Sequence, residues 1–255
     1  AGIWKARKGQ PIGHAEPVEW CQYCSHENTP TMLYNAMIKP LIPFAIKGAI
    51  WYQGESNRFN GMLYRTIFPD LIQNWRHDWG QGDFPFYYVQ IAPYTYSDKY
   101  STGILRESQE FAMKKLPNTG MVVTMDIGNL KNIHPANRKD VGKRLANWAL
   151  AKDYGFINTV YAGPMYQSIQ NAGDKLYIHF NYVFGGLTSF GEDLRCFEIA
   201  GKDRVFHPAT ARIEGKSVQV YSEAVKEPVA VRFGWHSTDV PNLFNILGYP
   251  AAPFR

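Results

Sequence analysis

Cysteine is scarce, with three in 255 residues, too few for a disulfide framework. Charge is thin as well. Charged residues make up 19% of the chain, and 27 basic against 22 acidic side chains leave a net charge of +5 spread along its length. No Lys/Arg block forms a stripe that would neutralise phosphates, so no nucleic-acid partner is expected. No stretch is apolar for long enough to span a bilayer, which excludes an integral membrane protein of the helical kind. No internal repeat is visible. What remains is a globular composition, 45% hydrophobic, in a chain of one or two domains able to bury a core without staples.

Cys21, Cys24 and His26 form a C-x-x-C-x-H cluster. Structural zinc takes four ligands, usually as two close pairs, and Cys196 has no Cys/His neighbour at useful spacing. Haem attachment would need a histidine where Ser25 stands. No metal or cofactor is therefore expected, and the cluster reads as a loop or as a disulfide of an exported protein. The chain opens on Ala1 and an irregular run to about residue 28. It is expected to be part of a longer protein, or one from which an N-terminal segment was removed.

Two regimes follow, and the expected division is 1–155 and 156–255. Over residues 29–153, helical and strand patterns alternate. Leu33, Met37, Ile38 and Leu41 keep helical spacing after Thr29 and Pro30. Residues 46–52 (IKGAIWY) fit a buried strand. Leu63, Ile67, Leu71 and Trp75 mark a helix, 84–91 a strand, Leu105 to Leu116 a helix, 121–127 a strand, and Val141 to Ala149 a helix closed by Gly155. The order α-β-α-β-α-β-α implies a parallel, doubly wound α/β sheet, whose chemistry sits at the carboxyl ends of the strands. The second regime has strand candidates near 157–162, 175–183, 195–200, 210–214, 217–221 and 229–235, with a hairpin turn at Glu214-Gly215-Lys216. It reads as a small antiparallel β domain. Its aromatic tail (Trp235, Phe244, Tyr249, Phe254) is expected in the core.

The strand-end loops hold the chemistry. After the first strand comes Gln53-Gly54-Glu55-Ser56-Asn57. Gly54 allows a tight turn, and Gln53 and Asn57 bring amide donors suited to an oxyanion. Ser56 lacks the glycine two residues later that a nucleophile elbow needs; Arg58 stands there. After the third strand comes Asn132-Ile133-His134-Pro135. His134 is placed as a general base, because imidazole titrates near neutrality. Asp126 is the nearest preceding acid, and Asn132 stands closer as an uncharged alternative for orienting the ring. Arg106 and Gln109 share one helix face, where they contact substrate or brace the loops.

Trp51-Tyr52-Gln53-Gly54-Glu55-Ser56-Asn57, residues 79–86 (WGQGDFPF), Leu105-Arg106-Glu107 with Gln109, and Ile133-His134-Pro135 resemble the sialate O-acetylesterase family of SGNH-type serine esterases. Pro241-Asn242-Leu243, Asn245, Gly248 and Pro253-Phe254-Arg255 resemble its C-terminal β domain. The resemblance implies a flavodoxin-like SGNH hydrolase sheet and removal of O-acetyl groups from sialic acid or related acetylated sugars through a Ser/His acyl-enzyme. It implies no cofactor and an exported location, whether periplasmic, extracellular or lysosomal. His134 matches the family's histidine, and Gln53 and Gly54, with Glu55 beside them, match the block facing oxyanion and substrate. The family's serine lies in a Gly-Gln-Ser-Asn block after the first sheet strand, and this sequence has no such block. The serine is expected from a missing N-terminal segment or a partner chain, and the sheet is expected to be incomplete on that side. Asn132 occupies a position where the family commonly has Asp. The competing expectation is a non-catalytic carbohydrate-binding fragment or pseudoenzyme.

Overall fold

The computed structural model describes residues 31–97 and 102–255. Residues 46–255 form one compact unit. The described part of residues 1–45 holds a wide helical turn, Tyr34–Ile38, followed by a 3-10 turn, Lys39–Leu41. A regular helix over Leu33 to Leu41 was expected from spacing. Pro40 has no N–H to continue an α-helical ladder, and the segment tightens to 3-10 there.

In the compact unit, β1 (Ala49–Tyr52), β2 (Phe86–Val89) and β3 (Thr119–Val122) form a parallel sheet in the order β1-β2-β3. Helix α1 (Gly61–Trp79) joins β1 to β2, α2 (Thr102–Lys115) joins β2 to β3, and α3 (Arg138–Lys152) follows β3. Two right-handed crossovers stepping the same way put α1 and α2 on the same face. On that face Phe68 of α1 meets Trp51, Phe86 and Tyr88, with ring centroids 4.8–6.5 Å apart. On the other face Trp148 of α3 stacks on Tyr87 at 5.8 Å and donates to the Met121 carbonyl at 3.2 Å. Gly120 permits this approach, since a Cβ there would lie 2.5 Å from the Trp148 ring. Helix α1 stops at Gly80, which is left-handed and donates to the Arg76 and His77 carbonyls.

Three small antiparallel sheets follow: β4-β5-β10-β9, β11-β7-β8 and β12-β6. Their ranges are β4 Met165–Asn171, β5 Lys175–Asn181, β6 Leu187–Thr188, β7 Phe197–Ala200, β8 Phe206–Pro208, β9 Thr210–Glu214, β10 Ser217–Tyr221, β11 Ala230–Phe233 and β12 Phe244–Asn245. Ile178, Val218, Ile199 and Phe233 bring the first two of these sheets into one core, which Phe254 of the aromatic tail also enters. The hairpin turns at Gly215, with φ +63°.

Three expected elements shift. The strand expected over 121–127 lies at 119–122, because its ladder runs out where Val122 pairs with Val89, the last residue of β2. Residues 157–162 form no strand, and Ile157 is 87% exposed. β4 stands where no strand was expected. It is an edge strand whose residues after Tyr166 are exposed, so it carries no apolar alternation to read. At the opposite boundary of the parallel sheet, β1 pairs only with β2 among the described residues.

Candidate active site

The turn after β1 is shaped by Gly54, whose φ is +151°. A side chain there would meet Ile91 at 3.0 Å and Gln109 Nε2 at 3.2 Å. The loop thus lies directly on α2. Gln53 was expected to offer its amide to an oxyanion, but that amide is already committed. Its Oε1 accepts from the Tyr64 hydroxyl at 3.1 Å, and its Nε2 donates to Asn57 Oδ1 at 2.6 Å. The chain of bonds leaves Asn57 Nδ2 as the outward donor, without an acceptor among the described residues. Glu55 begins a 3-10 turn running to Asn60. Its carboxylate adds to burial in raising the pKa of Tyr52, and of Tyr96 to about 12. Ser56 is exposed, and no described residue hydrogen-bonds its hydroxyl.

Beneath this turn, α2 supplies Gln109 and Arg106, both fully buried. Gln109 bridges the carboxyl ends of β1 and β2. Its Nε2 donates to the carbonyls of Gln53 and Val89, both at 3.3 Å, and its Oε1 accepts from the Ile91 N–H at 3.1 Å. Arg106 was expected to contact substrate or to brace the loops, with the substrate role favoured. It is instead a brace with no exposed surface, donating to the carbonyls of Ile91 (3.2 Å), Gly234 (3.3 Å) and His236 (3.1 Å). Burial pushes its pKa down to about 10. Its Nη2 is buried without a hydrogen-bond partner among the described residues.

The loops after β2 and β3 are tied together by the Thr95 N–H on the Leu130 carbonyl at 3.1 Å. Gly128 allows close approach, since a Cβ there would lie 2.7 Å from the Pro93 ring. Asn129 and Asn132 then fold the β3 loop by side-chain-to-backbone turns. Asn129 Oδ1 accepts from the N–H groups of Lys131 (2.8 Å) and Asn132 (3.1 Å), and Asn132 Oδ1 accepts from the His134 N–H at 2.9 Å. Asn132 therefore positions the His134 backbone rather than its ring. His134 is exposed, and no described residue hydrogen-bonds its imidazole. Pro135 is buried, and Asn137 caps α3 through the Asp140 N–H at 3.1 Å. Asp126 does not orient His134 either. Both of its oxygens go to Arg144, at 2.8 and 2.6 Å, and Arg144 also donates to the Val123 carbonyl at 2.7 Å. Arg138, at the start of α3, lies 5.7 Å from the Tyr52 ring and links this loop to the end of β1.

Sequence reasoning passed over a second imidazole. His236 sits in the Gly234–Asp239 segment, which reaches the loop after β2 through the Tyr94 N–H on the Ser237 carbonyl at 3.0 Å. Its Nε2 lies 3.0 Å from Glu198 Oε2. Burial opposes the Glu198 charge, but Arg232 and His236 outweigh it and hold the carboxyl below its usual range. Only the pairing of β11 with β7 brings these groups together, and no local spacing signals it. The Cys21/Cys24/His26 cluster lies outside the described residues. Among the described residues, no three His, Cys, Asp or Glu side chains group as metal ligands.

Residues 14–151 match the family described as carbohydrate esterase, sialic acid-specific acetylesterase. The chain belongs to that family. It is 34% identical to the sialate O-acetylesterase of Mus musculus over 80% of this chain and 42% of that protein, and 31% identical to that of Pongo abelii over 80% and 44%. A crystal structure of a carbohydrate acetylesterase from Xanthomonas citri superposes with a TM-score of 0.84 at 42% identity, over 89% of this chain and 53% of that one. This family member has the SGNH-like fold, a parallel sheet with helices followed by antiparallel sheets. It spans less than half the length of these curated relatives.

Proposed function

We propose that this chain is the base-bearing part of a carbohydrate O-acetylesterase acting on acetylated sialic acid or a related acetylated sugar. The observation that carries the reading is the exposed His134, with an uncommitted imidazole on a loop braced at the carboxyl end of the parallel sheet. His134 takes the proton of a serine hydroxyl as that serine attacks the acetyl carbonyl. It returns the proton to the departing sugar oxygen, then activates the water that frees acetate. Asn57 Nδ2, with backbone N–H groups of the Gly54 turn, stabilises the oxyanion of each tetrahedral intermediate. Arg106 and Gln109 hold the loops without touching substrate.

The serine comes from a polypeptide segment lying beside β1. Two features support this. Among the described residues Ser56 has no base on it, and β1 is bare on one side, with Ile50 71% exposed; Met62, Leu63 and Ile67 of α1 are exposed as well. An open parallel edge flanked by apolar side chains is a pairing surface. No helix among the described residues is long and apolar enough to cross a membrane; the family resemblance supports an exported compartment.

Acetate release from an O-acetylated sialic acid tests the reading. The chain supplemented with the segment that completes its sheet should release acetate and label with a serine-directed probe, and His134→Ala should abolish both release and rapid labelling. Sugar binding without labelling in the completed protein would instead establish a non-catalytic carbohydrate binder. Release by the chain alone that disappears in Ser56→Ala would make Ser56 the nucleophile.

A further inference from the structure

At the amino ends of the strands lies a cavity of about 470 Å³, between α2, α3 and the β4-β5 hairpin. That volume is within the range of small-molecule sites, about 300–1,000 Å³. Thr119, which lines it, opens β3, and Tyr87 stands second in β2. Strands of this length put it about 13 Å from their carboxyl ends, where the loops carrying Gln53 and His134 begin. Its wall is aromatic and polar at once, combining Trp148, Tyr166 and Tyr182 with Asn181, Lys152 and Glu110. A second cavity of about 210 Å³ shares Glu110, Lys114 and Tyr166 with the first and runs on to Phe254 and Arg255. Tyr166 stacks on Phe254 at 5.1 Å, so one aromatic pair runs along the junction.

Glu110 stands where the cavities meet, and it is only 3% exposed. The Lys114 ammonium pairs with its Oε1 at 2.7 Å, and a carboxylate oxygen has a second lone pair, so Glu110 keeps accepting capacity for a further donor. A buried carboxyl with spare hydrogen-bonding capacity is costly unless something else approaches it. Burial raises its pKa, against the pull of Lys114. Lys152 has no carboxylate partner among the described residues, and its Nζ lies 4.5 Å from the Tyr161 ring centroid. Since Lys114 is spent on Glu110, the wall keeps one uncompensated positive charge. The Asn181 amide is likewise uncommitted among the described residues.

Aromatic faces beside amides and a buried acid are the chemistry that binds sugar rings, whose C–H faces pack on aromatics while their hydroxyls need donors and acceptors. Two cavities in series fit more than one ring, and the spare ammonium fits a carboxylate. We propose that this groove is a saccharide-binding site for an acidic glycan chain, separate from the acetyl-hydrolysing loops. Sugar rings lie against Tyr166 and Tyr182, a carboxylate meets Lys152, and a hydroxyl donates to Glu110. The site extends beyond the proposed hydrolysis and does not depend on it. Its consequence is that the chain holds a polyanionic sugar at a distance from the bond being cut.

Calorimetric titration of the 255-residue chain with a deacetylated sialic acid trimer tests this, with neutral xylotriose as comparator. The trimer should bind, and Lys152→Gln should weaken it about tenfold, the worth of one charge-assisted contact. Tyr182→Ala should weaken it as well, and His134→Ala should leave it unchanged. Circular dichroism checks each variant's fold, and Asn181→Ala at an exposed position replaces Tyr182→Ala if that variant unfolds. Three results would overturn the proposal: no binding of the trimer, binding lost in His134→Ala but not in Lys152→Gln, or xylotriose binding as tightly as the acidic trimer. Because acetate release is not measured, failure here is separate from failure of the hydrolytic reading.

Discussion

Gln109 offers the sharpest test of how the loops are held. In Gln109→Leu the volume is nearly kept and the amide is lost. The fully buried Ile91 N–H then has no acceptor from α2, and the carbonyls of Gln53 and Val89 lose a shared donor. An orphaned buried group costs about 1–3 kcal/mol. The two 3.3 Å contacts come from one nitrogen and are long, so together they count as about one bond. The expected loss is therefore about 2–4 kcal/mol, or about 5–15 °C in Tm for a unit of this size. Gln109→Glu separates hydrogen bonding from packing. Ionised, it sets a carboxylate against two carbonyls; protonated, it accepts from Ile91 and donates to Gln53 much as the amide does. Burial raises the folded-state pKa of this carboxyl above its unfolded value of about 4.3. Its favourable contribution is therefore complete below about pH 4.3 and is lost as pH rises through the folded pKa. Urea unfolding followed by far-UV circular dichroism, referenced to the parent chain at each pH, should rank Gln109→Glu below Gln109→Leu at pH 7. The order should close or reverse at pH 4.5. Parallel pH profiles for the two variants, or a Gln109→Leu loss under about 0.5 kcal/mol, would refute the bracing role.

Asp126→Asn should cost about 3–5 kcal/mol in urea unfolding, because it strands the largely buried Arg144 guanidinium. Glu110→Gln should stabilise the chain at pH 7. Burial raises the folded pKa of this carboxyl, so its contribution is full below its ordinary range near 4.5 and lost as pH rises, and the advantage of glutamine should vanish at pH 4. The Cys196 thiol is pushed up to about 11 by burial first and the Asp239 charge second. Peptide mapping after iodoacetamide at pH 7 should find it almost unlabelled, since about one thiol in ten thousand is ionised there.

Periodicity served where each element buries one side against a continuous layer. Residues 84–91 contain β2 because that strand is covered on both faces; Leu63, Ile67, Leu71 and Trp75 do lie on one helix, but Leu63 and Ile67 are exposed and its buried row is Tyr64, Phe68 and Ile72. It failed where burial is one-sided and shallow, as in β4, or where backbone chemistry overrides pattern, as at Pro40. The site was legible as loops and only partly as roles. Gly54 and His134 stand at strand ends, as a doubly wound sheet requires. Gln53, Arg106, Asn132 and Asp126 stand in or beneath those loops, but each is spent on a nearer partner. Spacing reports which groups are close along the chain and is blind to competition among them.

That competition follows one rule at this site. Asp126 finds the planar guanidinium of Arg144 two helical turns into α3, and a bidentate pair with two short bonds outbids one bond to an exposed imidazole. Asn132, one residue removed from its target, closes a local turn on the His134 N–H before its amide can reach a ring. Arg106 and Gln109 meet backbone carbonyls that burial would otherwise leave bare, and such groups take the first donor available. Among the described residues, what is left uncommitted besides the exposed Ser56 hydroxyl is therefore the informative set: the His134 imidazole, Asn57 Nδ2 and the bare side of β1. All three sit at the boundary of the parallel sheet or at its carboxyl end. On the proposed reading, a serine carried there beside β1 would find its base in His134 and its oxyanion donor in Asn57, with their supports already in place.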